Sequence, residues 1–240
     1  MALQQGVVEF LIRELLPRVR DRASVMSLSR QNVTSPVKDI AAFLESEGFS
    51  TKPLEGMNKI TSREIFQAFG FEKYDDVDFT VSESCTMVHD MNTPIPETLA
   101  NSYDLVFEHG TLEHIFDIKT AFENIIRMVK VGGTIFHLAP LDLVNHGFYN
   151  FSPTLYYDIY RVNGFMPVTF FMAESPEKWW KDPNFHYKKM EFNVGRIKPT
   201  ARKKYYPMLA CVAVKERDLG CFHIPIQAIY DPETDFDPVF

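Results

Sequence analysis

YDLVFEHGTLEHIFDIKTAFENIIRMVKVGGTIFHLAP, residues 103–140, reads as a strand, a polar loop, a helix, a turn and a second strand. Tyr103 to Phe107 is an apolar run whose only charge is Asp104, the pattern of a strand covered on both faces of a parallel sheet. Polar residues gather at its carboxyl end, as Glu108, His109, Gly110, Thr111, Glu113 and His114. Asp117 is placed to cap a helix whose apolar residues Ile118, Ala121, Phe122, Ile125, Ile126 and Val129 recur at helical spacing. Lys130 suits the negative end of that helix, and Gly132 with Gly133 is expected to stop it. Thr134 to Ala139 then reads as the second strand. A parallel pair with its crossover helix is the simplest solution, and in such sheets ligands sit beyond the carboxyl ends of the strands. The cluster from Glu108 to His114 falls at that edge.

The rest of the composition is that of a folded, enzyme-sized chain. It has 240 residues, 45% apolar and 14% aromatic, which excludes a disordered polypeptide. A net charge of −7 argues against wholesale nucleic-acid binding. Cys85, Cys211 and Cys221 are scattered, without metal-ligand spacing, and read as reduced thiols of a cytoplasmic protein. Near the N-terminus Val7, Val8, Phe10, Leu11, Leu15 and Leu16 surround Glu9, Arg13 and Glu14 as an amphipathic helix ending near Pro17. Three uses are open to it: packing on the sheet, lining a substrate entrance, or self-association as a homodimer. The sequence shows no cleavable leader and no apolar run long enough for a bilayer, so no membrane partner is expected.

In their order and spacing, YDLVFEHGTLEH, RMVKVGG and TIFHLAP resemble the central motifs of class I S-adenosylmethionine-dependent methyltransferases, especially the methyltransferase type 11 group. In that group a strand of the type FDLV, a loop carrying LEH and a helix ending near RxLKPGG recur; here Val131 stands where proline is usual. The resemblance implies an α/β, Rossmann-like fold: a mostly parallel seven-stranded sheet with an antiparallel C-terminal strand and helices on both faces. It implies S-adenosyl-L-methionine as cofactor. It also implies a single methyltransferase-like domain over 1–240, with an N-terminal helix in 1–20, a cofactor-binding core in 21–150 and a sheet-closing, substrate-side segment in 151–240. On the residues alone, another nucleotide-binding or flavodoxin-like unit stays open.

Taken in order, Ala23 to Leu28 reads as the first strand. Where the family carries a glycine-rich loop, this chain has Ser29, Arg30, Gln31 and Asn32, similar to a variant LGRQD loop with Ser29 in place of its glycine. The resemblance thus assigns Ser27, Leu28, Ser29, Arg30 and Gln31 to the cofactor, Arg30 and Gln31 offering side chains to its carboxylate. Ser35 and Pro36 predict the cap and first residue of one helix, and Thr61 with Glu64 a capping box for another. The length of this insertion predicts a lid. Asp75 to Phe79 is a weak strand and Thr86 to His89 a third. The resemblance matches Asp78 to the ribose hydroxyls, Asp90 to the adenine amino group and Met91 to the adenine ring. Asp78 also suits a solvated turn, and Asp90 with Asn92 simple turn chemistry. Glu108, His109 and Gly110 complete the cofactor edge.

The segment after the strand 134–139 borders the acceptor in the family. Asn145, His146 and Tyr149, with His114, are therefore candidate substrate residues. Ser152, Pro153, Asn163 and Gly164 bracket a further helix, and Met166 to Ala173 and Pro207 to Val214 read as closing strands. Lys178 to Lys204 carries nine basic residues against two acidic ones, interleaved with Trp179, Trp180, Phe185, Tyr187 and Phe192. That mixture suits either a phosphorylated acceptor or a solvated insertion.

A methyl group on a sulfonium is already electrophilic, so the tasks left to the protein are alignment and exclusion of water. A base is needed when the attacking group carries a proton; His146 and His109 are the catalytic candidates, with His114 and Glu108 behind them. Glu113 and His114 also suit a purely structural role, and no metal site is expected, because His109 and His114 lack supporting ligands. The leading expectation is methyl transfer to an O or N atom of a small-molecule acceptor, such as a sugar or anionic metabolite. The alternative is a non-catalytic protein of the same fold acting as a binding or regulatory subunit, which the missing glycines favour. A nucleic-acid or protein acceptor is the third, and the net charge speaks against it.

Overall fold

A computed structural model describes residues 2–81, 85–178, 182–192 and 203–231. The strands are β1 (Ser24–Leu28), β2 (Lys73–Asp78), β3 (Met87–Val88), β4 (Tyr103–His109), β5 (Val129–Pro140), β6 (Phe165–Pro176), β7 (His186–Met190) and β8 (Tyr205–Lys215). They form one sheet in the order β3-β2-β1-β4-β5-β8-β6-β7. Strands β1 to β5 pair in parallel, β8 runs antiparallel between β5 and β6, and β7 pairs antiparallel with β6. This is the mostly parallel, Rossmann-like sheet that the sequence implied, with one strand beyond the expected seven: β7, added at the edge. The strand order reverses between β1 and β4, so their carboxyl ends flank a topological switch point.

Strands β4 and β5 alternate their side chains between two apolar layers. Leu105, Phe107, Phe136 and Leu138 face one, which holds α1 (Gln5–Phe10), α2 (Val37–Ser46) and α3 (Ser62–Ala68). Val106, Ile135 and Ala139 face the other, against α4 (Ile118–Met128) and α5 (Pro153–Val162). Period-two alternation with apolar residues on both sides is what a sheet sandwiched between helices requires.

Several local expectations are met by hydrogen bonds. The Asp117 side chain accepts from Thr120 N, the Ser152 side chain accepts from Thr154 N, and Thr61 with Glu64 forms the capping box of α3. Ser35 does not cap α2: its Oγ accepts from Gln5 N at 3.0 Å and ties the N-terminal segment down instead. The expected third strand is shorter than Thr86 to His89, because Thr86 turns its hydroxyl and amide onto Asp76 at 2.6–3.0 Å in place of a regular ladder.

Helix α4 ends at Met128, four residues before Gly132, because the fully buried Val129 already belongs to β5. Lys130 consequently leaves the helix end and pairs with Asp104 at 2.8 Å. Burial opposes the charge of Asp104, but the donors on Lys130 and Ser24 outweigh it and hold this carboxyl below its usual range. Lys215, 1% exposed, takes over the last carbonyls, donating to Ile126 O and Val129 O at 3.1 Å each.

The insertion between β1 and β2 is no lid. Ile40, Leu44, Ile65 and Phe66 are fully buried, so α2 and α3 cover the sheet. The N-terminal helix also packs on the sheet, with Phe10 centred among Phe171, Tyr187 and Phe136 at 5.1, 4.6 and 6.0 Å. Of the basic and aromatic segment, Trp179, Trp180 and residues 193–202 lie outside the described residues, as do residues 232–240. Its described aromatics are committed to packing: Phe185 and Tyr187 surround Phe10, and Phe192 stacks on Tyr157 at 4.2 Å. The three cysteines are free thiols, and no described helix is long and apolar enough to cross a membrane. Truncating a fully buried phenylalanine costs about 3–5 kcal/mol, so Phe10→Ala should lower stability by that amount in urea titration, against a near-neutral Glu9→Ala.

Candidate functional site

The carboxyl ends of β1, β2, β3 and β4 are adjacent, which brings Ser29, Asp78, Asp90 and Gly110 to one edge of the sheet. Ser29 bends the chain with φ +66°, a left-handed conformation that glycine adopts without steric cost. The bend is held from inside: Ser29 N donates to Val77 O at 2.7 Å, Ser27 Oγ donates to Ser29 O at 2.7 Å, and Gln31 N donates to Ser62 Oγ at 3.1 Å. Leu28 is buried and its carbonyl accepts from Thr111 Oγ1 at 3.0 Å. Arg30 grips the buried Asp76 with Nε at 2.5 Å and Nη2 at 3.1 Å, so Nη1 keeps both of its N–H groups for another partner. Asp78 ends β2 and accepts from Thr80 N at 3.2 Å. Asp90 closes an Asx turn on Asn92, whose backbone N–H holds its carboxyl below the usual range. Met91 is 7% exposed and belongs to the α4–α5 layer.

Glu108 is fully buried, and its side chain looks inward. Oε1 accepts from Thr111 N and Leu112 N at 2.7 and 3.2 Å, while Oε2 lies 2.9 Å from His137 Nδ1. The other ring nitrogen of His137 meets Tyr160 OH, so one buried chain links β4, β5 and α5. This fastening makes Glu108 an organiser of the turn 110–114 and leaves it no oxygen facing outward. His109, 2% exposed, places Nδ1 3.4 Å from Gln31 Oε1. Burial pushes its pKa down to about 3, so the ring is neutral near pH 7.

Within that turn, Glu113 is fully buried and neither carboxylate oxygen has a hydrogen-bond partner among the described residues. Burial first, then the charge of Glu108, pushes its carboxyl well above the ordinary range. His146 Nε2 lies 3.5 Å and His114 Nε2 4.0 Å from Glu113 Oε1. The loop after β5 is fastened to bring this about. Phe148 N donates to Glu113 O at 2.7 Å, and Tyr149 OH donates to Phe116 O at 2.8 Å. Gly147 is required at the contact, since a Cβ there would sit 2.6 Å from Glu113 O. Asn145 supplies the bend with φ +61°. Asn145 and Tyr149, two candidate substrate residues, thus have visible work in shaping the loop, while His114 and His146 meet over Glu113.

Beside this cluster is a cavity of about 270 Å³, lined by His109 and His146 together with Gln4, Glu177, Tyr206 and Met208. Its wall therefore comes from both ends of the described chain. Gln4 is 3% exposed and its Oε1 is an orphaned acceptor aimed at no described protein donor. Sequence reading missed Gln4, Glu177 and Tyr206; the one signal available was Gln4 itself, a polar residue in the apolar run ALQQGVVEFL.

Residues 68–137 match the family model described as a methyltransferase domain. No curated protein sequence matches the chain. Among solved structures, an S-adenosylmethionine-dependent methyltransferase from Archaeoglobus fulgidus is similar with TM-score 0.47 and 12% identity, over 88% of this chain and 94% of that one. A phosphoethanolamine N-methyltransferase 2 from Haemonchus contortus, with S-adenosyl-L-methionine, is similar with TM-score 0.46 and 12% identity over 90% of this chain and 54% of that one. The CMeT domain of a citrinin polyketide synthase is similar with TM-score 0.46 and 11% identity over 89% and 52%. The chain spans about half the length of these last two.

Two consequences can be measured. A non-glycine residue in the left-handed region costs roughly 1–2 kcal/mol, partly offset in a glycine variant by unfolded-chain entropy. Ser29→Gly should therefore be neutral or stabilising by up to about 1 kcal/mol, while Ser29→Val should cost about 1–2 kcal/mol in denaturant titration. His109 has a folded pKa near 3 against 6.5 for a free imidazole, so the unfolded chain takes up the proton first. Its contribution to stability is complete above pH ~6.5 and is lost as pH falls toward 3. His109→Asn should flatten the slope of stability against pH in that window, read by urea unfolding at a series of pH values.

Proposed function

We propose a class I S-adenosylmethionine-dependent methyltransferase acting on an O or N atom of a small molecule, a reading supported by the match of residues 68–137 to the methyltransferase-domain model. One observation carries the reading: the row formed by the Ser29 bend, Asp78 and Asp90 lies on the same carboxyl edge as the cavity that His109 and His146 line. The residues present fit the cofactor. Asp78 offers carboxylate oxygens to two ribose hydroxyls, and Asp90 offers one to the adenine amino group. Ser29 takes the backbone conformation that a glycine would take at the methionine end, and Arg30 Nη1 is the donor left for its carboxylate. Gln31 holds the bend and the His109 ring. When bound, S-adenosyl-L-methionine supplies an electrophilic methyl group.

The cavity sets the acceptor's size and chemistry. About 270 Å³ admits a metabolite and excludes a folded polymer. The orphaned Gln4 Oε1 and the Glu177 carboxylate call for an acceptor rich in hydroxyl or amine donors. Neither Lys nor Arg lines the cavity among the described residues, so a sugar-like polyol or an amine suits it better than an anion. The apolar side of the cavity, with Val7, Leu138, Phe185 and Met208, excludes water. His146 at the rim meets the attacking atom, and the neutral His109 ring orients the acceptor from the floor.

Calorimetry with S-adenosylhomocysteine tests the reading. Binding is expected for the wild-type chain, with Asp78→Ala and Asp90→Asn each weakening it by about tenfold or more, the loss of one charge-assisted hydrogen bond. No binding to the wild type at neutral pH would sink the enzyme and leave the non-catalytic alternative.

A further inference from the structure

The triad Glu113, His114 and His146 is not needed to hold the cofactor, and its geometry is that of a ligand set. Each residue offers one atom, and the three atoms lie within 4.8 Å of one another. Bonds of ~2.1 Å to a tetrahedral ion place two ligand atoms about 3.4 Å apart. The Glu113 Oε1 to His146 Nε2 separation of 3.5 Å already has that length, and the 4.0 Å to His114 Nε2 is within a small rotation of an exposed ring.

A second, independent observation points to a cation. Glu113 is fully buried with both oxygens unpartnered, which is costly for a carboxylate unless a positive charge or donor reaches it. The surrounding backbone is also built to hold the three side chains together. Gly147 allows the loop to touch Glu113, Phe148 N fastens it to Glu113 O, and Tyr149 OH fastens it to Phe116 O.

We propose that Glu113, His114 and His146 bind one divalent transition-metal ion, Zn²⁺ or an ion of similar borderline softness, through one carboxylate oxygen and two imidazole Nε2 atoms. Two imidazoles and a carboxylate suit that class over Mg²⁺ or Ca²⁺, which take oxygen ligands. Three protein ligands leave coordination positions open, and His146 puts them beside the acceptor cavity. An ion there would hold an acceptor oxygen or nitrogen in place, taking over the contact with the attacking atom that His146 makes in the ion-free protein. That last role rests on the methyl-transfer reading; ion binding itself does not.

The test uses the full chain, purified without a metal-affinity tag and stripped with chelator. Co²⁺ and Zn²⁺ are the probes, each added separately. One ion per chain should survive gel filtration, and bound Co²⁺ should show the visible bands of a low-coordinate nitrogen and oxygen site. Glu113→Gln, His114→Ala and His146→Ala should each weaken retention roughly 100-fold or more, because loss of a ligand exceeds the 10- to 100-fold effect of losing a group behind one. His114 is exposed, so its variant reports on the site even if Glu113→Gln unfolds. No retained ion, or retention unchanged in any folded member of the three, overturns the proposal. Calorimetry with S-adenosylhomocysteine in chelator is run alongside: cofactor binding without ion binding sinks the metal site alone, and ion binding without cofactor binding sinks the methyl-transfer reading alone.

Discussion

A single buried carboxylate at the end of β4 organises the working edge of this protein. Glu108 accepts two backbone N–H groups from the turn that follows and faces His137 on β5, which in turn meets Tyr160 on α5. Removing a partner from a buried, hydrogen-bonded carboxylate is destabilising, which favours keeping these contacts together in the folded chain. The turn they fix is the one that carries Glu113 and His114, and the loop after β5 is fastened to that turn at Glu113 O. Placement of Glu113 and His114, and of the loop that carries His146 to the cavity, thus follows from the hydrogen bonds that hold this turn.

Much of the fold is visible in the sequence because strands covered on both faces must be apolar throughout. Tyr103–Phe107 and Thr134–Ala139 announce themselves, as do the caps Asp117 and Ser152 and the box Thr61–Glu64. Boundaries set by tertiary contacts are less visible. The glycine pair 132–133 looks like the end of α4, yet the buried Val129 already begins β5, and the lysine that serves the helix end is Lys215, remote in sequence. The insertion holding α2 and α3 looks long enough for a lid, and its apolar spacing equally suits the covering layer it forms.

The site divides in the same way. Ser29, Asp78 and Asp90 sit at the ends of strands whose order follows from the fold, so their shared edge could be inferred. The meeting of Glu113 with His146 could not, because it depends on a loop whose path is set by two backbone-scale facts: the left-handed Asn145 and the absence of a Cβ at Gly147. Asn-His-Gly at 145–147 holds both signals, but neither says which element the loop will touch. Glu108, His109 and Glu113 look equivalent as polar residues after a strand. All three are buried, and their hydrogen-bond partners separate them into a fastening, a neutral ring and an unpartnered carboxylate.

The cavity is walled by Gln4, Val7, Tyr206 and Met208 together with His109 and His146. Its parts are therefore separated by nearly the whole described chain, whereas the row of Ser29, Asp78 and Asp90 is complete once β4 has formed. Contacts of such long sequence separation carry the largest loop-closure entropy and form late in folding. On a growing chain, Ser29, Asp78 and Asp90 are all made before β8, which supplies Tyr206 and Met208 to the cavity. A chain cut before β8 would lack Tyr206 and Met208 from the cavity wall, so an intact cavity reports that β8 has taken its place between β5 and β6.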